Sequence, residues 1–509
     1  MNAKIHQQLV NRKRRIERRL DKKRLGNTDR PMFAAANIHY EIADRTRGLA
    51  HGGIGAIHLL ARRIGLIDAI NDKLHLLKIH LPYHESDHVL NLAYNALCDG
   101  TCLQDLELRR QDEVYLDALG ARRIPDPTTA GDFCRRFGVA DIHTLIDVFN
   151  GVRQHVWARQ PAAFFEFARI DMDGTLVETL GECKAGVDIA YNGIWGYHPL
   201  VVSLANTGEV LSVLNRSGNR PSHEGAAAEV DRAMRVCLDG GFRRVLLRGD
   251  TDFSQTKHLD RWNADPRVQF LFGLDCTSAR HVMADDLQAA AWQKLERSPR
   301  YQVKTQPRQR PKRVKEQIVR EREFENKRLV SEEVAEMPYR PTACKNTYRL
   351  IVVRKNLSVE KGELRLFEDY LYFFYLTNDR TSSAATIVFE ANRRCNQENL
   401  HAQLKGGVHA LQAPLDNLES NWAYMVMTAL AWNLKAWFAL WPTESSGRHG
   451  ERHHQEKDTI LRMEFKTFVN AFLRLPCQIV RTGRRLIYRL MSWNPWQRVF
   501  FRTFAQLRC

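Results

Sequence analysis

Arg394, Glu398 and Lys405 stand within residues 389–408 (FEANRRCNQENLHAQLKGGV). On an α-helix of 3.6 residues per turn, Arg394 lies one turn before Glu398 and Lys405 nearly two turns after it, so the three share one face. A carboxylate between two cations is also what an ordinary surface ion-pair network looks like. Two other stretches change its weight. Residues 167–175 (FARIDMDGT) carry Asp171 and Asp173, and residues 245–253 (VLLRGDTDF) carry Asp250. Positions two apart on a strand point to the same side, so Asp171 and Asp173 face one way. Each aspartate alone also reads as a local cap: Gly174-Thr175 is turn-like, and Asp250 precedes a short helical start at Thr251-Asp252-Phe253. Together, Asp171 or Asp173, Asp250 and Glu398 form an all-oxygen donor set. Such a set suits two hard divalent ions beside a phosphate backbone better than it suits zinc.

The elements that must position these residues follow from periodicity. Residues 167–175 form a strand candidate, followed by 199–205 (PLVVSLA) and 209–216 (EVLSVLNR) either side of Asn206-Thr207-Gly208, a hairpin signal. Three consecutive strands of this kind predict an antiparallel meander. A helix over 222–238, a strand ending at Asp250, a helical patch at 256–262 and a strand at 268–273 complete the order strand, strand, strand, helix, strand, helix, strand. That is the ribonuclease H-like α/β order, a mixed sheet flanked by helices, and it sets Asp250 beside the first strand at the edge where open α/β sheets do chemistry. Charged helical residues 281–298, a basic linker and the β-rich stretches 348–354 and 370–377 then predict an insertion with its own small sheet. Upstream, Ile54, Ile57, Ala61, Ile64 and Ile67 recur at helical spacing. Further helices over 86–97, after 124–129 and around Ile142, Leu145, Phe149 and Val152 make residues 30–155 an all-helical N-terminal domain, with a helix-turn-helix among its possible roles.

The 509-residue chain carries a net charge of +17 that is unevenly placed. Residues 1–30 hold 11 Lys+Arg against 3 acids, 301–328 hold 10 against 4, and 474–509 hold 8 against none. These excesses exceed the whole net charge, so the remainder is acidic, and basicity confined to three segments points to a polyanion, nucleic acid first. Arg12, Lys13, Arg14 and Arg15 in the first segment and Arg310, Lys312 and Arg313 in the second are the candidate phosphate contacts. Ten cysteines without a Cys-x-x-Cys pair read as reduced, in a cytoplasmic setting. No signal peptide is recognisable, and residues 423–440, with Asn433 and Lys435, read as a buried core helix rather than a membrane span. His223-Glu224 lacks the second histidine of a zinc protease helix, and no Walker glycine loop occurs.

The spacing Arg394-x3-Glu398-x6-Lys405, with the phrases DMDGTLVETLGE, RSGNRP and LLRGDTDF, resembles the DDE transposases of bacterial insertion sequences, the cut-and-paste group with a Tyr-x2-Arg-x3-Glu-x6-Lys signature. The similarity spans roughly residues 30–440. It implies that Asp173, Asp250 and Glu398 bind metal and catalyse, with Asp171 second choice, and that Arg394 and Lys405 grip element-end DNA. The position of the signature tyrosine is Ala391 here. The resemblance further implies Mg2+ with Mn2+ as substitute, double-stranded DNA (terminal repeats and target) as partner, a homodimer in the active complex, no membrane, and work at the bacterial nucleoid. The expected organisation is a basic helix (1–30), a helical DNA-binding domain (31–160), two catalytic parts (161–275 and 383–445) around the basic linker and β-rich insertion (276–382), and a basic helical C-terminal region (446–509). An inactive DNA-binding regulator of this descent and a structure-specific nuclease are the competing expectations. Cleavage and strand-joining assays separate them.

Overall fold

The computed structural model describes residues 2–21, 38–40, 46–80, 82–297, 326–360, 370–444, 447, 449–483 and 485–508. Its centre is a nine-stranded mixed sheet: β1 (Ala168–Gly174), β2 (Leu200–Leu204), β3 (Glu209–Leu214), β4 (Val245–Gly249), β5 (Val268–Leu274), β6 (Gln293–Lys294), β7 (Asn326–Tyr339), β8 (Tyr348–Glu360) and β9 (Tyr370–Thr377). The spatial order is β6-β7-β8-β9-β5-β4-β1-β2-β3, with β4 parallel to both β1 and β5 and the other pairs antiparallel. The meander β1-β2-β3 and the placement of β4 beside β1 are as the sequence predicts.

The strands after residue 290 do not make a separate small sheet. β9 pairs with the free edge of β5, from Phe374 opposite Leu274 to Thr377 opposite Leu271, and β8, β7 and β6 extend the sheet from there. An unpaired β5 edge would leave backbone donors and acceptors without partners, and the inserted strands satisfy them. The basic linker lies outside the described residues.

On β1 the alternation divides the faces. Ala168, Ile170 and Met172 enter the core, while Arg169, Asp171 and Asp173 face the opposite side. The helices include α1 (Ala3–Leu20), α2 (Glu85–Leu97), α3 (Val139–Trp157), α4 (Ala226–Asp239), α5 (Ala384–Asn392), α6 (Asn396–Ala402), α7 (Leu418–Leu440) and α8 (Gln497–Arg508); others include Ile54–Arg63 and Gly450–Arg462. α4 begins four residues later than predicted, after Gly225 in the left-handed region at φ 75°.

α7 is buried on all sides, which explains its lack of a polar face. It packs on α2, α3 and β3, so the N-terminal helices share one continuous core with the sheet. Buried Glu209 ties the layers, accepting from Trp157 Nε1 at 2.9 Å, Trp437 Nε1 at 2.8 Å and the Thr207 hydroxyl at 2.6 Å. No helix among the described residues is long and apolar enough to cross a membrane. The nine described cysteines are free thiols.

The C-terminal region is not wholly helical. Residues Cys477–Thr482 and Arg485–Leu490 form an antiparallel hairpin, and Gly48–Leu49 adds a short strand to it, so neither end of the chain is purely α. The Ile/Val/Tyr-rich alternation around Thr482-Gly483 favours strand pairing over helix.

Candidate active site

Asp171 lies opposite Arg248 in the parallel β1–β4 register, so the same register carried two residues on brings Asp173 to Asp250. Asp250 follows β4 and its Oδ1 accepts from the Asp252 backbone N–H at 3.1 Å, so the local capping role is real and occupies one oxygen. Its Oδ2 lies 4.0 Å from Arg394 Nη1, which is 3.5 Å from Asp173 Oδ2. One guanidinium therefore bridges two aspartates from neighbouring strands. Burial pushes the Asp173 carboxyl up to about 7; Asp250 and Glu398 add to the rise and Arg394 opposes it. Asp250 is also raised by burial, against the pull of Arg394.

Glu398 sits exposed on α6. Its charge acts on Asp173, yet the described residues contain no group of three or more His, Cys, Asp or Glu side chains placed to hold a metal ion together. The segment that carries it is not the regular helix expected. It runs as a 3-10 turn at Arg393–Cys395, α-helix at Asn396–Ala402 and a π turn at Gln403–Gly407. The changing rise and rotation remove the single straight face on which Arg394, Glu398 and Lys405 were expected to align; a π turn interrupting a helix in this way is frequent at functional sites.

Asp171 is used differently from Asp173. It is 1% exposed, and Arg248 donates to both its oxygens, Nε to Oδ1 at 2.6 Å and Nη2 to Oδ2 at 2.8 Å. Burial raises the Asp171 carboxyl and Arg248 opposes that rise. Arg248 Nη1 also reaches Glu390 Oε1 at 2.7 Å, and Arg169 Nε meets the same oxygen at 2.6 Å. This network locks β1 and β4 against α5.

Residues 46–509 match the family model described as "Transposase DDE domain group 1". The chain belongs to this transposase family. Among solved structures, a cryo-EM structure of the piggyBac transposase synaptic complex with hairpin DNA is similar at 9% identity and a TM-score of 0.36, over 83% of this chain and 82% of that one. No curated protein matches the chain.

In this transposase-family chain Lys405 is half-buried in the π turn, where desolvation lowers its pKa. With Arg394 it acts on His401, whose pKa burial lowers to about 4 and whose Nε2 is buried without a hydrogen-bond partner among the described residues. Two residues that sequence reasoning passed over stand on the other side of Asp173. A Cβ on Gly174 would come within 2.7 Å of His198 Nε2 and 3.4 Å of Arg216 Nη2. Arg216, the first residue of RSGNRP, donates to the carbonyls of His198, Pro221, Ser222 and Glu224 at 2.9, 3.1, 2.6 and 2.8 Å, and so shapes the loop that follows β3. The motif itself was the available signal.

Of the basic candidates, Arg12 on α1 donates to the carbonyls of Leu490 and Ser492 at 2.9 and 2.8 Å, so its guanidinium is engaged within the chain. Lys13 pairs with Glu17 at 3.5 Å, and Arg14 and Arg15 are exposed. Arg310, Lys312 and Arg313 lie outside the described residues.

Proposed function

We propose that the chain is the cut-and-paste transposase of a bacterial insertion sequence, cleaving DNA at the element ends and joining them to target DNA. The observation that carries this reading is the Arg394 bridge between Asp173 and Asp250, with the Glu398 charge bearing on the same carboxylate, in a chain of the DDE transposase family. Parts 161–275 and 383–445 are the ribonuclease H-like catalytic body, and residues 31–160 serve DNA binding.

The donor chemistry fits a divalent cation. Burial first, and then the charges of Asp250 at the end of β4 and Glu398 on α6, raise Asp173, and a cation relieves the penalty on its charged form. Asp173, Asp250 and Glu398 would hold Mg2+, or Mn2+ in its place, and the bound ions supply charge neutralisation at the attacking and leaving oxygens of phosphodiester transfer. Arg394 keeps the two aspartates together and, with Lys405, neutralises phosphates of the end DNA. Asp171 anchors the strand. The reaction class is hydrolysis at each element end followed by attack of the freed 3′-hydroxyl, probed by incubating purified protein with labelled element ends and Mg2+. Cleaved and joined products support the reading; intact DNA at saturating occupancy refutes it. Cutting two ends together favours a homodimer.

A further inference from the structure

Beside the carboxylates lies a cavity of about 370 Å3 whose walls include Asp250, Tyr375, Ala391, Asn392, Arg394 and Cys395. Its geometry starts from a glycine. Gly273 on β5 lies opposite Tyr375 on β9, and a Cβ there would come within 2.9 Å of Thr251 N and 3.1 Å of the Asp250 carbonyl carbon. The turn that presents Asp250 therefore crosses the strand where no side chain stands, and Tyr375 meets no side chain from β5, its other cross-strand neighbour being Ile351 on β8. Tyr372, also at the cavity, donates its hydroxyl to Asp285 at 2.7 Å. The Tyr375 hydroxyl makes no hydrogen bond among the described residues, and its charged neighbours include Arg297 and Arg394. Arg297 is engaged by Glu332 through bonds of 2.6 and 2.7 Å.

Asn392 contributes a second donor: its Nδ2 is buried and has no hydrogen-bond partner among the described residues. Arg394 adds a guanidinium whose contacts with the two site aspartates, at 3.5 and 4.0 Å, are ion pairs longer than a normal hydrogen bond. A phenol, an amide and a guanidinium thus line one cavity, and the buried Asn392 amide costs free energy until an acceptor reaches it. Asp250 and Asp275 also line it; Asp250 is bridged by Arg394, and Asp275 is open to solvent. Ala391, where the signature carries tyrosine, is a wall of the same cavity, so Tyr375 is the phenol left free here.

We propose that Tyr375, Asn392 and Arg394 form a clamp for one phosphodiester of bound DNA next to the bond being cut. This rests on the transposase reading. Tyr375 gives its hydroxyl hydrogen to one non-bridging oxygen, and Asn392 and Arg394 take the other, fixing the backbone relative to Asp250.

The experiment uses the full chain and end DNA carrying a single methylphosphonate, moved one phosphate at a time around the cut. In the parent protein one position is expected to lower both binding and cleavage about tenfold. Tyr375→Phe and Asn392→Ala should each lose about as much on unmodified DNA and lose little more at that position, since the partner is already gone. Unchanged melting temperatures for the two variants show that the fold is kept. The clamp is overturned if either variant binds and cuts unmodified DNA as the parent does, or if its loss adds in full to every methylphosphonate loss. Should the parent cut no DNA at all, the transposase reading fails, while the binding arm still judges the clamp.

Discussion

Arg248 closes on Asp171 through two hydrogen bonds, whereas Asp173, two residues along the same strand face, meets Arg394 Nη1 at 3.5 Å. The contrast assigns the two aspartates different work. A carboxylate gripped at both oxygens by a buried guanidinium has no lone pairs directed to a metal, while a loosely bridged one in a repulsive group retains them.

Asp171→Asn should therefore act on stability. Leaving Arg248 buried with half its counter-charge is expected to cost about 3–5 kcal/mol. Urea denaturation gives the value. The same variant, assayed at low temperature where it remains folded, should still cleave DNA; full stability with lost cleavage would exchange the roles of Asp171 and Asp173.

The Asp173 carboxyl makes metal-free stability depend on pH. Its pKa is about 7 when folded and about 3.9 when unfolded, so between those values the folded state holds more protons and stability falls as pH rises. Asp173→Asn removes that slope, and its advantage over the parent in EDTA should grow by roughly 2–3 kcal/mol from pH 5 to pH 8. The same proton competes with a cation, so stabilisation by Mg2+ should be larger at pH 8 than at pH 6. Calorimetry across this range, with and without the ion, checks both signs; a flat difference contradicts the burial and repulsion argument.

The contrast also shows what local pattern carries. Alternation and the Asn206-Thr207-Gly208 turn make the meander legible, because both the pattern and the hairpin loop are local. The partner of β9 was not legible, because a strand's periodicity does not say which sheet edge is free, and the β5 edge lies about a hundred residues earlier in the chain. The network around Asp171 is equally non-local: its counter-ion Arg248 is 77 residues away, and Glu390, which shares Arg248, a further 142 beyond. At Arg394-Glu398-Lys405 the spacing identified the residues, but not the 3-10 and π turns that set their directions, and the π turn meets the chain 62 residues on, where Phe465 N donates to Gln403 Oε1 at 2.8 Å.

Arg394 and Lys405 carry a prediction of opposite character. Alanine at either position should weaken end binding by about 1.5–3 kcal/mol, the range for a hydrogen bond to a charged group, as read by fluorescence anisotropy. Arg394→Ala should also raise the Asp173 carboxyl further, since its opposing charge is gone. Normal end binding with only metal affinity reduced would show the roles to be wrong.

Exposed Arg14 and Arg15 on α1, with two lysines or arginines of residues 301–328, test the polyanion reading. Neutralising all four should flatten the slope of log K against log salt by up to about 0.9 for each lost phosphate contact. An unchanged slope would remove these segments from the DNA interface.

The most direct measurement is cleavage of element-end DNA by Asp173→Asn, Asp250→Asn and Glu398→Gln at matched DNA occupancy, in Mg2+ and in Mn2+. Each substitution keeps the side-chain shape and removes a charge that a cation needs. The account predicts that all three abolish cleavage in both metals while end binding stays within a few-fold of the parent. Parental cleavage by Glu398→Gln, or by either aspartate variant, would contradict it.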